Sequence, residues 1–293
     1  MKVLAAALIT VVLWGASPVA AKIAVSSLSP MMVAILRTVI GGLIALPLAI
    51  LLRIPLPADT SQRRLLVLSG FCGFVAFPVL FTLGILHTSA NHASMILAGL
   101  PVFTGLIAMT WDKKRPGRAW WIGCTIAMAG EALLIFGQGL DSTTGASISG
   151  DLLVLSSNVF ASLGYVAGGR LERNGYPAMG TTFYGVGLYA LVLLPMLFIV
   201  DPGTQLLAVS TEIWVAIAYL ALGVTIVGYV LWYWALGQGG IARIALLQFL
   251  QPVSGVILAA ILLGEDFGAA FIVASGVILF GVWYALRIEK EAR

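Results

Sequence analysis

Ten stretches of this chain are each long and apolar enough to cross a bilayer: 3–25, 30–52, 65–86, 90–111, 119–138, 150–170, 180–200, 211–236, 241–263 and 267–288. A helix rises about 1.5 Å per residue, so about 20 apolar residues cover a hydrocarbon core of about 30 Å. The connections between the stretches are short, which leaves little chain for a soluble domain. Composition excludes one independently: 60% of the residues are hydrophobic and 10% are charged. A soluble domain carries about 25% charged residues. The predicted fold class is an all-α integral membrane protein of ten transmembrane helices.

The basic residues set an orientation. Lys2, Arg53, Arg63, Arg64, Lys113, Lys114, Arg115, Arg118, Arg170, Arg173, Arg243, Arg287, Lys290 and Arg293 all fall on one side if the stretches alternate. The other side holds Lys22, and Arg37 lies within the second stretch. The positive-inside rule then places both termini in the cytoplasm of a multi-pass cell (inner) membrane protein. The opposite loops carry Asp141, Asp151, Asp201, Glu212, Glu265 and Asp266. The net charge of +4 is no nucleic-acid footprint, because the basic residues sit at the ends of the stretches and not on one face. The first stretch has the Lys, apolar run and small residues (Ala20, Ala21) of a signal peptide. Its apolar run continues to Val25, which favours an uncleaved span. Cys72 and Cys124 form neither a disulfide framework nor a zinc spacing and read as packing residues.

The ten stretches divide into two sets of five, 1–138 and 139–293. Pro30 opens the second stretch and Pro177 precedes the seventh. Leu100-Pro101-Val102 matches Gln251-Pro252-Val253 at an offset of 151, and Gly130 falls on Gly281 at the same offset. Five is odd, so the halves enter the membrane from opposite sides. That is the inverted repeat of many secondary transporters, whose substrate site lies near the midplane between repeats. Pro101 and Pro252 each lie eleven residues into their stretch and are expected to kink it at mid-bilayer, as hinges or as packing kinks. Pro78 in the third stretch is a further candidate hinge.

Trp14-Gly15, then Lys22, Pro30 and Arg37, resembles the opening of the EamA-type domain of the drug/metabolite transporter superfamily. Tyr229, Pro252-Val253 and Leu263-Gly264-Glu265 resemble its closing pattern. Within that group the chain looks most like bacterial exporters of aromatic amino acids. The resemblance implies a basket in which spans 1–4 and 6–9 surround a central cavity, with spans 5 and 10 outside it. The second half departs from the pattern: Ala161 stands where Trp14 does and Tyr184 where Arg37 does.

Candidate lining residues follow. Phe71, Phe74, Phe77 and Phe81 recur at helical spacing and form one expected stripe. Tyr229, Trp232 and Tyr233 lie on the eighth stretch and Trp14 on the first. Ring pairs contribute about 0.5–1.5 kcal/mol beyond buried area, which suits an aromatic substrate. The same rings can equally pack helices or face lipid. Asn158, Gln248 and Gln251 are intramembrane amides that suit a zwitterion or a helix–helix hydrogen bond. Arg37 and Glu131 lie at matching depth, each seven residues from the outer end of its stretch; they read as a structural ion pair, with a substrate or proton site as the alternative. His87 and His92 flank an outer turn and read as surface residues. Gly164 and Gly168 form a Gly-x-x-x-Gly face for close helix approach.

The expected function is export of small organic molecules, aromatic or hydrophobic amino acids first, by alternating access. Export of drugs, organic cations or other metabolites is the alternative. An intramembrane enzyme would need a set such as His-Glu-x-x-His or paired intramembrane aspartates. The stretches hold no such set, so the chain reads as a non-enzyme with no cofactor and no metal. The expected partners are the small-molecule substrate and the lipid bilayer, with a monomer as the simplest assembly.

Overall fold

The computed structural model describes residues 1–88, 93, 96–113, 115–137, 147–201, 206–263 and 269–291. Among these residues all regular structure is helical. His92, Lys114, Asp141, Gly264, Glu265, Asp266 and Arg293 lie outside the described residues.

The first half contains α1 (Lys2–Gly15), α2 (Ser17–Ala24), α3 (Pro30–Leu51), α4 (Thr60–Phe71), a π turn over Cys72–Ala76, α5 (Phe77–Ile85), α6 (Leu100–Asp112) and α7 (Arg118–Gly137). The second contains α8 (Ile148–Arg173), α9 (Ala178–Leu193), a 3₁₀ run Leu194–Phe198, α10 (Thr211–Ala218), a π segment Tyr219–Gly228, α11 (Tyr229–Gly239), α12 (Ile241–Ala245), a 3₁₀ run Leu246–Leu250, α13 (Gln251–Leu263) and α14 (Ala269–Glu291). Among the described residues, seven helical stretches, some joined through π or 3₁₀ runs, are long and apolar enough to cross a membrane: Lys2–Ala21, Pro30–Leu51, Thr60–Ile85, Ile148–Arg173, Ala178–Phe198, Thr211–Gly239 and Ile241–Leu258. Two shorter apolar helices cover Ile96–Asp112 and Phe271–Arg287. The chain is therefore a multi-pass integral membrane protein.

Local chemistry sets many of the boundaries. The Ser29 side chain accepts from the Met32 N–H at 3.3 Å, and Pro30 supplies the preset first residue of α3. Asp59 Oδ1 accepts from the Gln62 N–H at 2.7 Å to start α4. Ser147 Oγ accepts from the Gly150 N–H at 3.1 Å to start α8. α8 also carries Asp151 in its first turn and Arg170 and Arg173 in its last, matching its dipole. Gly240, at φ 87°, ends α11 with a conformation that favours glycine.

The prolines differ from the expectation. Pro101 and Pro252 are not kinks within continuous helices. Each is the second residue of a helix, α6 or α13, and each follows a break: a turn at Gly99, or the 3₁₀ run Leu246–Leu250. Pro78 likewise follows the π turn at Cys72–Ala76 as the second residue of α5. A proline in the first helical turn removes only an N–H that would be unpaired there anyway. The three prolines therefore restart helices after irregular joints.

Packing pairs the halves. α3 lies against α9 and α7 against α14. α8 packs on α4, α5, α6 and α11, while α1 packs on the π segment, α11 and α13. The α7–α14 contact is close because Gly123 faces Ala285: a Cβ at Gly123 would lie 2.4 Å from the Ala285 Cβ. The Gly164–Gly168 face does similar work on α8. A Cβ at Gly168 would lie 2.3 Å from the Tyr233 ring, and one at Gly164 would lie 3.2 Å from Cys72. The outer surface stays apolar, with Leu43, Leu48, Leu133, Val215, Ile272 and Phe280 exposed, as a bilayer requires.

Candidate substrate site

The site begins at the two π segments. A π turn bonds i to i+5, widens the helix and often marks function. Along Tyr219–Gly228 the backbone carbonyls are open to other elements. Val224 O accepts from Trp14 Nε1 at 3.1 Å, and Gly228 O accepts from Thr10 Oγ1 at 3.3 Å. In the other direction the Tyr219 hydroxyl donates to Leu13 O at 2.7 Å. α1 is thus fastened along the π segment. Gly228 must be small, because a Cβ there would sit 2.6 Å from Trp14 Nε1.

This anchoring sets Trp14 at the centre of a ring cluster. Its centroid lies 5.6 Å from Tyr165 in a stacked pair at 18°, and 5.3 Å from both Tyr229 and Trp232. Phe74, on the first π turn, lies 4.8 Å from Tyr229, and Tyr233 lies 5.5 Å from Tyr229. The Tyr229 hydroxyl donates to Gly73 O at 3.3 Å, and the Tyr233 hydroxyl is 2.9 Å from Ser69 Oγ. All six rings are buried. Elements of both halves (α1, the first π turn, α8 and α11) meet at this one point.

Arg37 on α3 reaches the edge of the cluster. Its Nε and Nη2 donate to Thr225 Oγ1 at 3.2 and 3.1 Å, and that hydroxyl donates onward to Leu220 O at 2.9 Å. Thr225 adjoins Val224, whose carbonyl holds the Trp14 indole, so Arg37 is anchored one residue from that acceptor. One cation, two phenols and an indole therefore share a buried region. Such a set can receive a carboxylate beside an aromatic side chain.

The expected pair of Arg37 with Glu131 is not formed. Arg37 is spent on Thr225, while Glu131 is buried on α7 and its Oε2 has no partner among the described residues. Equal depth did not bring the two helices' charged faces together. The expected phenylalanine stripe is also broken. The π turn at Cys72–Ala76 shifts the register, so Phe74 is buried against Tyr229 while Phe71 is 41% exposed beside Phe160. Phe77 and Phe81 stack on each other at 5.9 Å and make no ring contact with the cluster.

Asn158 is buried, and its Nδ2 donates to Ile96 O, a carbonyl at the break before Pro101. Its Oδ1 has no partner among the described residues, nor has either side-chain atom of buried Gln248. Gln251 is half-buried near Gly15 and accepts Ser254 Oγ on its backbone carbonyl at 2.9 Å. His87 contributes its backbone carbonyl, which accepts from Ser147 N at 2.9 Å. No group of three or more His, Cys, Asp or Glu side chains among the described residues could hold a metal ion.

Tyr165 and Thr225 were not among the expected lining residues. Tyr165 carried a usable signal: it stands 151 residues after Trp14, the offset that aligns Pro101 with Pro252. The offset of 147 selects Ala161 instead, one helical turn away from the ring that stacks on Trp14. A network at one end of α6 and α8 was also unread. Asp112 accepts from both nitrogens of the Arg173 fork at 2.7 Å and from Arg170, whose guanidinium lies 5.1 Å over the Trp111 ring.

The model of the EamA-like transporter family matches residues 1–136 and 148–287. The chain belongs to this family. It is 32% identical over 287 residues to the uncharacterized transporter YdeK of Bacillus subtilis, covering 96% of both chains. It is 26% identical over 302 residues to a protein of Escherichia coli named a probable amino-acid metabolite efflux pump, covering 98% of this chain and 96% of that one. The Salmonella typhimurium protein of the same name is 27% identical over 299 residues, with the same coverage. A solved crystal structure superposes with a TM-score of 0.80 over 99% of this chain and 98% of the other, at 17% identity, so the likeness is one of fold. Family and relatives make this EamA-like protein a transporter.

Proposed function

We propose that this EamA-like transporter exports aromatic or hydrophobic amino acids across the cell (inner) membrane, by alternating access between two inverted five-helix repeats, 1–138 and 139–293. The observation that carries the reading is the buried cluster of Trp14, Tyr165, Tyr229 and Trp232, with Arg37 held beside it on Thr225. The cluster supplies apolar faces, and Arg37 supplies a cation for a carboxylate. The efflux-pump names of two relatives favour the amino-acid class.

Two features support the repeat. α6 and α13 begin 151 residues apart, at Leu100 and Gln251. Partner elements also exchange roles: α8 packs on α5 as α1 packs on α11, and α8 on α6 as α1 on α13. The cluster rings cover one another, so a substrate reaches them only when the halves separate. The irregular joints before Pro78, Pro101 and Pro252 are the places where that motion costs least, because their helical hydrogen bonds are already interrupted. Asn158, beside the Pro101 joint, and Gln248 and Gln251, at the Pro252 joint, are the amides placed to follow it. Phe77 and Phe81 would line the path beyond the cluster.

The deciding experiment is uptake by purified protein in liposomes, with a panel of amino acids and cationic dyes, with and without a proton gradient. Saturable transport of Phe, Tyr or Trp that is lost in the absence of protein is the expected result. Transport of dyes alone would replace the reading with drug export, which the fixed positive charge of Arg37 disfavours.

Two further outcomes follow. Pro101→Ala and Pro252→Ala let the helix propagate back across each joint. Each should slow turnover several-fold while leaving expression and thermal stability within about 0.5 kcal/mol of the parent, because a first-turn proline makes no lost hydrogen bond. Normal turnover in both singles and the double mutant would reduce the prolines to packing. For topology, a cysteine at Arg115 should stay inaccessible to impermeant reagent in intact cells, and one at Thr144 should be labelled. Labelling at residue 115 would invert the orientation.

A further inference from the structure

One face of α4 carries Thr60, Arg63, Arg64, Val67, Leu68 and Phe71, spaced so that all six line a single helical stripe. Tyr189 of α9 borders the other side, and the two walls flank an open groove of about 550 Å³. The groove is charged at one end only. Arg63 Nε donates to Pro57 O at 3.1 Å, which holds its guanidinium at the mouth. Neither Arg63 nor Arg64 meets a carboxylate among the described residues, and both are exposed. Asp59 is nearby, but its Oδ1 is committed to the start of α4. Two neighbouring like charges are thus left without a direct ion pair among the described residues.

From that mouth the groove turns apolar. Val67 is 48% exposed and Phe71 is 41% exposed. From Arg64 to Phe71 is about 10 Å along the helix axis, directed into the membrane-spanning stretch Thr60–Ile85. The opposite wall is built to hold its shape. The Tyr189 hydroxyl donates to Val67 O at 2.9 Å, and its ring lies flat on Gly70, where a Cβ would approach to 2.7 Å.

We propose that this groove binds an anionic phospholipid, with the phosphate on Arg63 and Arg64 and an acyl chain along Val67, Leu68, Phe71 and Tyr189. Guanidinium forks match phosphate oxygens, and basic residues at a span end draw anionic lipid. A free phosphate would use the mouth and leave the apolar length of the groove without purpose, which is why a lipid is the occupant. The site stands apart from the aromatic cluster and does not depend on the substrate reading.

The test is native mass spectrometry of the full-length protein in detergent, titrated with phosphatidylglycerol or phosphatidylcholine of identical chains. Phosphatidylglycerol should bind the parent protein more tightly. The double variant Arg63→Gln/Arg64→Gln should weaken it about 30-fold, from roughly 5-fold for each arginine at an anionic surface. Arg63→Lys/Arg64→Lys should retain most of the affinity, which separates charge loss from misfolding. Val67→Trp fills the apolar length with both arginines intact and should also weaken binding at least tenfold. Equal binding of the two lipids, or unchanged phosphatidylglycerol binding in the glutamine variant, would overturn the site. Full competition by millimolar inorganic phosphate together with normal binding by Val67→Trp would make it a simple anion site and reject the lipid.

Discussion

Trp14→Ala should be the most damaging single substitution in this protein, abolishing export and lowering stability in detergent by about 3–5 kcal/mol. The indole touches Tyr165, Tyr229 and Trp232, so its removal opens a cavity at the point where both halves meet. It also leaves Val224 O, on the π segment, without its donor at 3.1 Å. A buried carbonyl left unpaired costs about 1–3 kcal/mol on its own. Trp14→Phe separates the two terms. The smaller ring can keep the stacked contact with Tyr165 but cannot donate to Val224. It should lose about 1–2 kcal/mol, remain folded, and transport with altered preference among aromatic substrates. Thermal melts and liposome transport on the same preparations decide the matter. A Trp14→Ala protein that melts with the parent and transports normally would remove the cluster from both the fold's core and the substrate path.

Arg37→Met and Thr225→Val should be strongly coupled, whereas Arg37→Met and Glu131→Gln should be additive. Arg37 makes two donations to Thr225 Oγ1, at 3.2 and 3.1 Å, and Glu131 is not among its partners. A hydrogen bond to a charged group is worth about 1.5–3 kcal/mol, and a double-mutant cycle across Arg37 and Thr225 should return a coupling of that order. Groups without a shared partner add to within about 0.3–0.5 kcal/mol, which is the expectation for Arg37 with Glu131. Arg37→Met should also raise the apparent substrate constant, because the guanidinium is the cation proposed to receive the substrate carboxylate. A coupling above about 1 kcal/mol between Arg37 and Glu131 would mean that the two meet in another state of the transport cycle. An unchanged substrate constant in a stable Arg37→Met protein would confine Arg37 to holding the π segment.

Much of this molecule is written in one dimension. Apolar runs longer than a bilayer is thick forced a helical membrane protein, since length and hydropathy are properties of the chain alone. The recurrence of proline and glycine at an offset of 151 marked equivalent places in α6 and α13, but as kinks inside spans and not as the helix starts they are. Trp14, Phe74, Tyr229 and Trp232 were named from the sequence as candidate lining rings and pack into one cluster; their contact with a substrate is proposed. What the sequence could not supply was rotation about each helix axis. Counting residues from a span end placed Arg37 and Glu131 at one depth but said nothing of which way they face. Tertiary packing turned Arg37 toward Thr225 and left Glu131 on α7, in the α7–α14 layer. Rotation is also where the π segments act. One widened turn at Cys72–Ala76 parts Phe71 from Phe74, and the one at Tyr219–Gly228 opens the carbonyls that seat Trp14. Helical periodicity assumes an unbroken i to i+4 ladder, and only the packed structure decides where that ladder yields.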